Sequence, residues 1–209
     1  MRSKRINIII GTALVAIVAI QVMLFLVSWL ISAASPDTTV HSLLSSEGIR
    51  WFFGTFVDNV ASQGLAWVIL MAMAYGMISD SHIINYIMTQ KDERSYRQTF
   101  AMRMVWAMTA VFIVIIVLVA FIPHAPLLSV TGRLFPSSFS LFIIPLAALY
   151  FTISAAMYGL LTGSLRNVGD LAAALCKGIA KAAPVILVYV FGVELLRSVE
   201  YVFSISGII

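Results

Sequence analysis

Charged residues and cysteines are scarce in this sequence. Only 11% of the residues are charged and 61% are hydrophobic, whereas about 25% of residues are charged in a typical soluble domain. The single cysteine, Cys176, excludes an internal disulfide and provides no thiol pair for a metal site. The composition therefore argues against an ordinary soluble globular domain and against a fold that depends on disulfides.

Motifs of catalytic and nucleotide-binding sites are also missing. The three histidines belong to no HExxH motif, and no serine is framed by glycines as in a nucleophile elbow. Ser81 and His82 are adjacent, but neighbours on a helix point about 100° apart and do not face each other. No phosphate-cradling glycine loop occurs, which argues against an ATP-driven pump. We therefore expect no enzyme, no catalytic residue, no metal ligand and no organic cofactor.

Long apolar runs dominate what the sequence does contain. A helix of about 20 residues crosses a hydrocarbon core of about 30 Å. Five stretches are suited to this: 6–34, 65–88, 105–122, 139–163 and 184–203. The third of them contains a single polar side chain, Thr109. The sequence predicts an all-α, polytopic membrane protein with about five transmembrane helices, folded as a single domain over 1–209.

Basic residues concentrate on one side of these spans. If the amino terminus is cytoplasmic, ten of the 13 lysines and arginines lie inside: Arg2, Lys4, Arg5, Lys91, Arg94, Arg97, Arg103, Arg166, Lys177 and Lys181. Only Arg50, Arg133 and Arg197 lie outside or at an outer helix end. The positive-inside rule then predicts a cytoplasmic amino terminus and, after five crossings, an external carboxyl terminus. Because the basic residues form no single face, we expect no nucleic-acid partner.

Two segments between the spans have the periodicity of helices that lie along a membrane surface. Within 42–62, apolar residues recur at three and four positions: Ile49, Phe52, Phe53, Phe56, Val57 and Val60. This stripe predicts a helix in the outer interface, or one that packs under the bundle. Within 168–182, Asp170 can cap a short helix on the inner surface, where Lys177 and Lys181 would meet anionic lipid.

Asp80 lies within a predicted span, where a charge is costly. It belongs to the run 79–82 (SDSH), which Asn85 follows, and Gly76 before it could loosen the helix. One interpretation is a proton- or sodium-linked carboxylate beside a helix break, as in the discontinuous helices of secondary transporters. The other is that the span ends early and Asp80 caps a cytoplasmic helix.

Glu194 and Arg197 are the second group of ionisable residues in a span. They are three residues apart on one helix face and able to pair, and Glu200 follows after three more. A pair that faces the bundle could line a polar path. The other interpretation is an ion pair at the outer end that reaches water, because Arg197 is close to the end of the span at Phe203.

Three stretches, at 42–51, 144–151 and 171–207, carry a family resemblance. The first two are SLLSSEGIRW and IPLAALYF, and the third contains KGIA at 177–180 before an apolar run. In the same order, they resemble the SLLSPEGLRW, IPLAALIF and MSKGM segments of the AbgT family of p-aminobenzoyl-glutamate transporters.

This resemblance implies secondary active transport of a p-aminobenzoyl-glutamate-like small organic anion across a bacterial inner membrane, coupled to H⁺ or Na⁺. Under it, Asp80 would couple the ion, while nearby serines and Asn85 would line a polar path, with Glu194 and Arg197 behind them. The full predicted path comprises Asp80, Ser81, Asn85, Ser137, Ser138, Glu194 and Arg197.

The chain departs from the family pattern in two places. Ser137 stands where the family's ASDAGY segment carries its aspartate, and 144–151 leads directly to the KGIA helix, without the re-entrant hairpin expected there. We therefore expect a companion membrane chain or a homo-oligomer to complete the substrate site. Membrane lipid is a further expected partner. The alternative function is a non-transporting membrane scaffold or a decayed transporter fragment.

Overall fold

The structure, a computed structural model, describes residues 2–35, 39–88, 95–121 and 138–205, without the side chains of 2–7, 119–121 and 138–141. This part of the chain contains eight helices and no strand: α1 (Arg2–Ala34), α2 (Ser46–Gly54), α3 (Phe56–Val60), α4 (Gln63–Ser81), α5 (Ile83–Met88), α6 (Tyr96–Phe121), α7 (Ser138–Thr162) and α8 (Val168–Phe203).

Five helical stretches within the described residues are long and apolar enough to cross a membrane: Ile8–Ala34, Gln63–Ser81, Tyr96–Leu118, Phe142–Thr162 and Val168–Phe203. The prediction of an all-α, polytopic membrane protein with about five spans is therefore confirmed.

The second predicted span, 65–88, is divided into two helices. α4 ends at Ser81, His82 adopts a φ of 58°, and α5 begins at Ile83. A residue in this left-handed region cannot continue a right-handed helix, so the chain breaks there. Gly76 does not loosen the helix, because α4 is continuous through it.

α8 is continuous from Val168 to Phe203, although a surface helix over 168–182 and a separate span over 184–203 were predicted. Pro184 lies inside the helix. Proline removes one backbone hydrogen bond, which transmembrane helices tolerate where neighbouring groups satisfy the freed carbonyl. At about 1.5 Å per residue, the 36 residues of α8 extend about 54 Å, well beyond a hydrocarbon core of about 30 Å.

A glycine at positive φ and short-range hydrogen bonds define the turn between α7 and α8. Gly163 has a φ of 81°, and the chain turns back so that the N–H of Leu165 donates to the carbonyl of Gly159 at 3.0 Å. At the start of α8, the side chain of Asn167 accepts from the N–H of Asp170, whose carboxylate accepts from the N–H of Arg166, both at 2.8 Å. Asp170 therefore helps to cap its helix, as its position predicted.

The chain separates into two compact units. Unit 1 is Met1–Ala66 with Ala183–Ile209, and unit 2 is Trp67–Ala182. Each is described by itself below. The single domain over 1–209 stays a prediction.

In unit 2, α4 and the first half of α8 cross at small residues. A Cβ atom on Gly76 would overlap the carbonyl oxygen of Ala174 and the backbone of Gly178, and one on Gly178 would overlap the carbonyl oxygen of Ala72. Each helix thus presents two small residues spaced by four, and the two backbones are in direct contact. This is the small-xxx-small packing of transmembrane helices.

In unit 1, the segment before α2 packs between α1 and the end of α8. The N–H of Leu43 donates to Ser28 Oγ at 3.2 Å, and the N–H of His41 donates to the carbonyl of Val202 at 2.9 Å. Trp51 stacks on Tyr201 with ring centroids 4.3 Å apart. Backbone hydrogen bonds and an aromatic stack therefore fix this segment.

The predicted interfacial helix over 42–62 is two short helices, α2 and α3. Ser45 caps α2, because its Oγ accepts from the N–H of Gly48 at 3.0 Å. Most of the predicted apolar stripe is exposed, with Phe53 at 74% and Val57 at 71%. Phe52 is half-buried and contacts Phe25 of α1 edge to face. The stripe is therefore exposed except at Phe52 and Val60, which are half-buried.

We predict that Gly178→Ala lowers the stability of the purified protein in detergent. The added methyl group overlaps the backbone of α4, and overpacking of this kind costs about 1–3 kcal/mol. Gly192→Ala in the same helix is the matched control, because a Cβ there meets no atom within 4 Å. Thermal unfolding should show a lower midpoint for Gly178→Ala alone. Equal midpoints for the two variants would contradict the close contact.

Candidate functional site

Asp80, near the end of α4, forms an ion pair with Lys177 of α8 in unit 2. The Oδ1 and Nζ atoms are 2.5 Å apart, and the two side chains are 24% and 51% exposed, respectively. The crossing of the helices explains the pairing, because Asp80 lies one turn after Gly76 and Lys177 adjoins Gly178. Lys181, one turn further along α8, lies over the ring of Tyr75 at 5.2 Å from its centroid. Both lysines therefore contact α4.

Ser81 ends α4 as a fully buried residue. Its Oγ donates to the carbonyl of Ile78 at 3.1 Å, and its own carbonyl accepts from Ser164 Oγ at 3.1 Å. A buried backbone carbonyl that loses its helical partner needs another donor. Ser164, in the turn between α7 and α8, provides it. The break in the second span is thus tied to that turn.

Two open cavities flank the break within unit 2. One, of about 340 Å³, is lined mainly by Asp80, His82, Ser164, Asp170 and Lys177. The other, of about 410 Å³, is lined mainly by Ser81, His82, Asn85, Gln98, Tyr158 and Thr162. Both volumes fall in the range of small-molecule sites, about 300–1,000 Å³. The structure therefore brings three of the predicted path residues together at the break: Asp80, Ser81 and Asn85.

The other predicted path residues are Ser137, Ser138, Glu194 and Arg197. Ser137 lies outside the described residues, and Ser138 begins α7 without a described side chain. Glu194 and Arg197 belong to unit 1, where they are described separately.

The predicted ion pair of Glu194 with Arg197 is not formed. Arg197 Nη1 donates instead to Glu200 Oε2 at 2.7 Å. Glu194 is only 5% exposed, and its Oε2 accepts from Asn59 Nδ2 at 3.3 Å. Both carboxylates are three residues from Arg197, so the helix spacing alone could not distinguish them.

A polar cavity of about 480 Å³ lies beside Arg197 in unit 1. Its lining includes His41, Asp58, Asn59, Arg197, Glu200 and Tyr201. Asn59 belongs to this cavity and also donates to the buried Glu194. The ion pair of Arg197 with Glu200 therefore borders a polar cavity, and Asn59 connects this cavity with the buried Glu194.

Sequence reasoning missed the partners of the predicted site residues. The sequence predicts that Lys177 contacts anionic lipid, and no sequence pattern distinguishes Ser164 or Asn59 from other polar residues. Gln21 did have a signal, since it is the only amide side chain in the span Ile8–Ala34, and its Nε2 donates to Ser198 Oγ at 2.9 Å. In the described part of the chain, no three His, Cys, Asp or Glu side chains cluster as a metal site would require.

Comparison with known proteins identifies a similar fold. The crystal structure of the Alcanivorax borkumensis YdaH transporter, an AbgT-family protein, matches with a TM-score of 0.71 over 92% of this chain and 71% of that chain, at 14% sequence identity. No protein-family model and no curated protein matches the sequence. The resemblance to the AbgT family is therefore confirmed as a likeness of fold.

We predict that the helix break depends on the left-handed conformation of His82. His82→Val should lower the free energy of unfolding by about 1–2 kcal/mol, because a β-branched residue is strained at positive φ. His82→Gly should leave it unchanged or raise it, since glycine adopts this conformation readily. Thermal unfolding in detergent measures both. A His82→Val protein as stable as His82→Gly would show that the chain does not break here.

Proposed function

We propose that this chain takes part in secondary active transport of a small organic anion, coupled to H⁺ or Na⁺. The observation that carries the proposal is the interrupted helix α4–α5, with a carboxylate, a hydroxyl group and an amide beside two cavities. Irregular backbone at membrane depth is tolerated only inside protein or along a water-filled cavity. Secondary transporters use such breaks to bind substrates and coupling ions. The transporter fold adds support.

The ion pair at the break suggests how an anion and a cation would be coupled. An anionic substrate that enters the cavity would compete with Asp80 for the Lys177 ammonium group. Asp80 would then lose its partner, and an unpaired carboxylate at this depth is costly. A proton or Na⁺ on Asp80 would remove that cost. Anion and cation would therefore bind together, and the gradient of the cation would drive the anion.

The remaining roles follow from what lines the second cavity. Asn85 and Gln98, which carry amide groups, line that cavity together with Thr162, which carries a hydroxyl group. Such groups suit the amide and carboxylates of a p-aminobenzoyl-glutamate-like molecule, the substrate class that the sequence resemblance suggests. We propose that Ser137 and Ser138 extend this path, and that a companion membrane chain or a second copy completes the site.

The test is uptake of labelled p-aminobenzoyl-glutamate by the purified chain in proteoliposomes with an imposed proton or sodium gradient. The unmodified chain should accumulate the label, and an ionophore that dissipates the gradient should abolish accumulation. Asp80→Asn should also abolish it, because an amide cannot take up the coupling cation. Glu47→Gln is the matched control, since Glu47 is an exposed carboxylate on α2.

A scaffold function is the second candidate, and the Asp80–Lys177 ion pair favours it because a paired carboxylate needs no transported ion. Uptake no greater than in empty vesicles, or uptake unaffected by Asp80→Asn, would contradict the carrier and support the scaffold. The complex extracted from native membranes in mild detergent should first be analysed by mass. Where a companion chain is present, the uptake assay is carried out on the complex.

A further inference from the structure

Unit 1 contains a buried acidic residue, Glu194, to which the coupling proposed for Asp80 assigns no role. Glu194 Oε1 has no hydrogen-bond partner among the described residues, and neither has Gln21 Oε1. Both side chains line one cavity of about 500 Å³, whose other walls are apolar and include Phe25, Phe52 and Phe191. Two side chains that each carry an oxygen acceptor without a donor therefore line the same apolar space.

This arrangement is costly unless something binds there. A buried carboxylate is stable only when it is paired, metal-bound or neutralised. Arg197 pairs with Glu200. Arg50, the other arginine or lysine of unit 1 whose side chain the structure describes, is exposed and forms no ion pair with Glu194. Among the described side chains, the partner of Glu194 is the neutral amide of Asn59. The charge of Glu194 thus has no counter-charge in the described part of unit 1.

We propose that Glu194 and Gln21 form a binding site for one monovalent cation, either a proton or Na⁺. A cation at this position neutralises the carboxylate and contacts the unpartnered oxygens. Hard cations prefer carboxylate and amide oxygens as ligands. Asn59 continues to hold Glu194 Oε2, so Oε1 is the atom that receives the cation.

The neighbouring polar cavity provides the route by which the cation arrives. Asn59 lines that cavity and donates to Glu194, so it connects the polar space with the buried carboxylate. The Asp58 carboxylate also lines the polar cavity, together with the ion pair of Arg197 with Glu200, whose opposite charges offset each other. Carboxylates in a cleft raise the local concentration of cations. The apolar walls on the other side of Glu194 offer no such path.

This site is separate from the break in unit 2, and cation binding there does not require that the chain transports anything. The test therefore uses the purified full chain in detergent, without substrate. Thermal unfolding is measured while Na⁺ replaces choline at constant ionic strength. A cation that binds only the folded chain raises the unfolding midpoint as its concentration increases.

For Na⁺, the unmodified chain and Glu47→Gln should become more stable as Na⁺ increases, and Glu194→Gln should not respond. Gln21→Leu keeps the carboxylate but removes one oxygen, and it should need about tenfold more Na⁺ for the same effect.

If the bound cation is a proton, Glu194 is a protonated carboxylic acid, which infrared difference spectra detect. Without Na⁺, a band of a protonated carboxylic acid should be present in the unmodified chain and in Glu47→Gln but absent in Glu194→Gln. Gln21→Leu should shift this band, because the acid loses a neighbouring acceptor. The unmodified chain and Gln21→Leu still provide the test if Glu194→Gln does not fold. The absence of a Na⁺ response, together with identical acid bands in all variants, would overturn the proposal.

Discussion

The backbone contact between α4 and α8 sets the positions of the groups that matter in unit 2. Lipid tails are as apolar as the helices, so helix association in a membrane depends on close packing and polar contacts. Gly76 and Gly178 permit that packing because they have no side chain between the backbones. The resulting register places Asp80 opposite Lys177 and Tyr75 under Lys181. It also brings α4 alongside the half of α8 that begins at the turn containing Ser164.

Asp80 and Glu194 differ in how their charges are compensated. Asp80 has a cationic partner on a neighbouring helix, and the pair borders a cavity where a competing anion could enter. Glu194 is more deeply buried and has only an amide partner in the described part of unit 1. The cost of a buried charge applies to Glu194, for which we propose a bound cation, whereas the role that we propose for Asp80 depends on the substrate.

The sequence predicted those features that depend on neighbouring residues. Hydropathy located five spans, and the position of Asp170 predicted a helix cap. Both interpretations of Asp80 required a helix end close to it, and α4 ends at Ser81. The sequence did not predict contacts between segments that are distant along the chain. The pair of Glu194 with Arg197 was wrong because Asn59, 135 residues away, engages Glu194 while Glu200 takes the arginine. The sequence suggested that Gly76 loosens its helix. Its close contact with Gly178 could not be predicted, because Gly178 lies on another helix. Pro184 suggested a boundary that membrane helices do not require.

Solute counterflow tests the carrier function most directly, because it needs neither an imposed ion gradient nor a variant. Proteoliposomes containing the chain, with a companion if one is found, are loaded with unlabelled p-aminobenzoyl-glutamate and diluted into a trace of labelled compound. A carrier with alternating access exchanges the two, so the label should accumulate transiently above its external concentration. Label that never exceeds the level of empty vesicles would contradict transport of this substrate class and leave the scaffold as the better account.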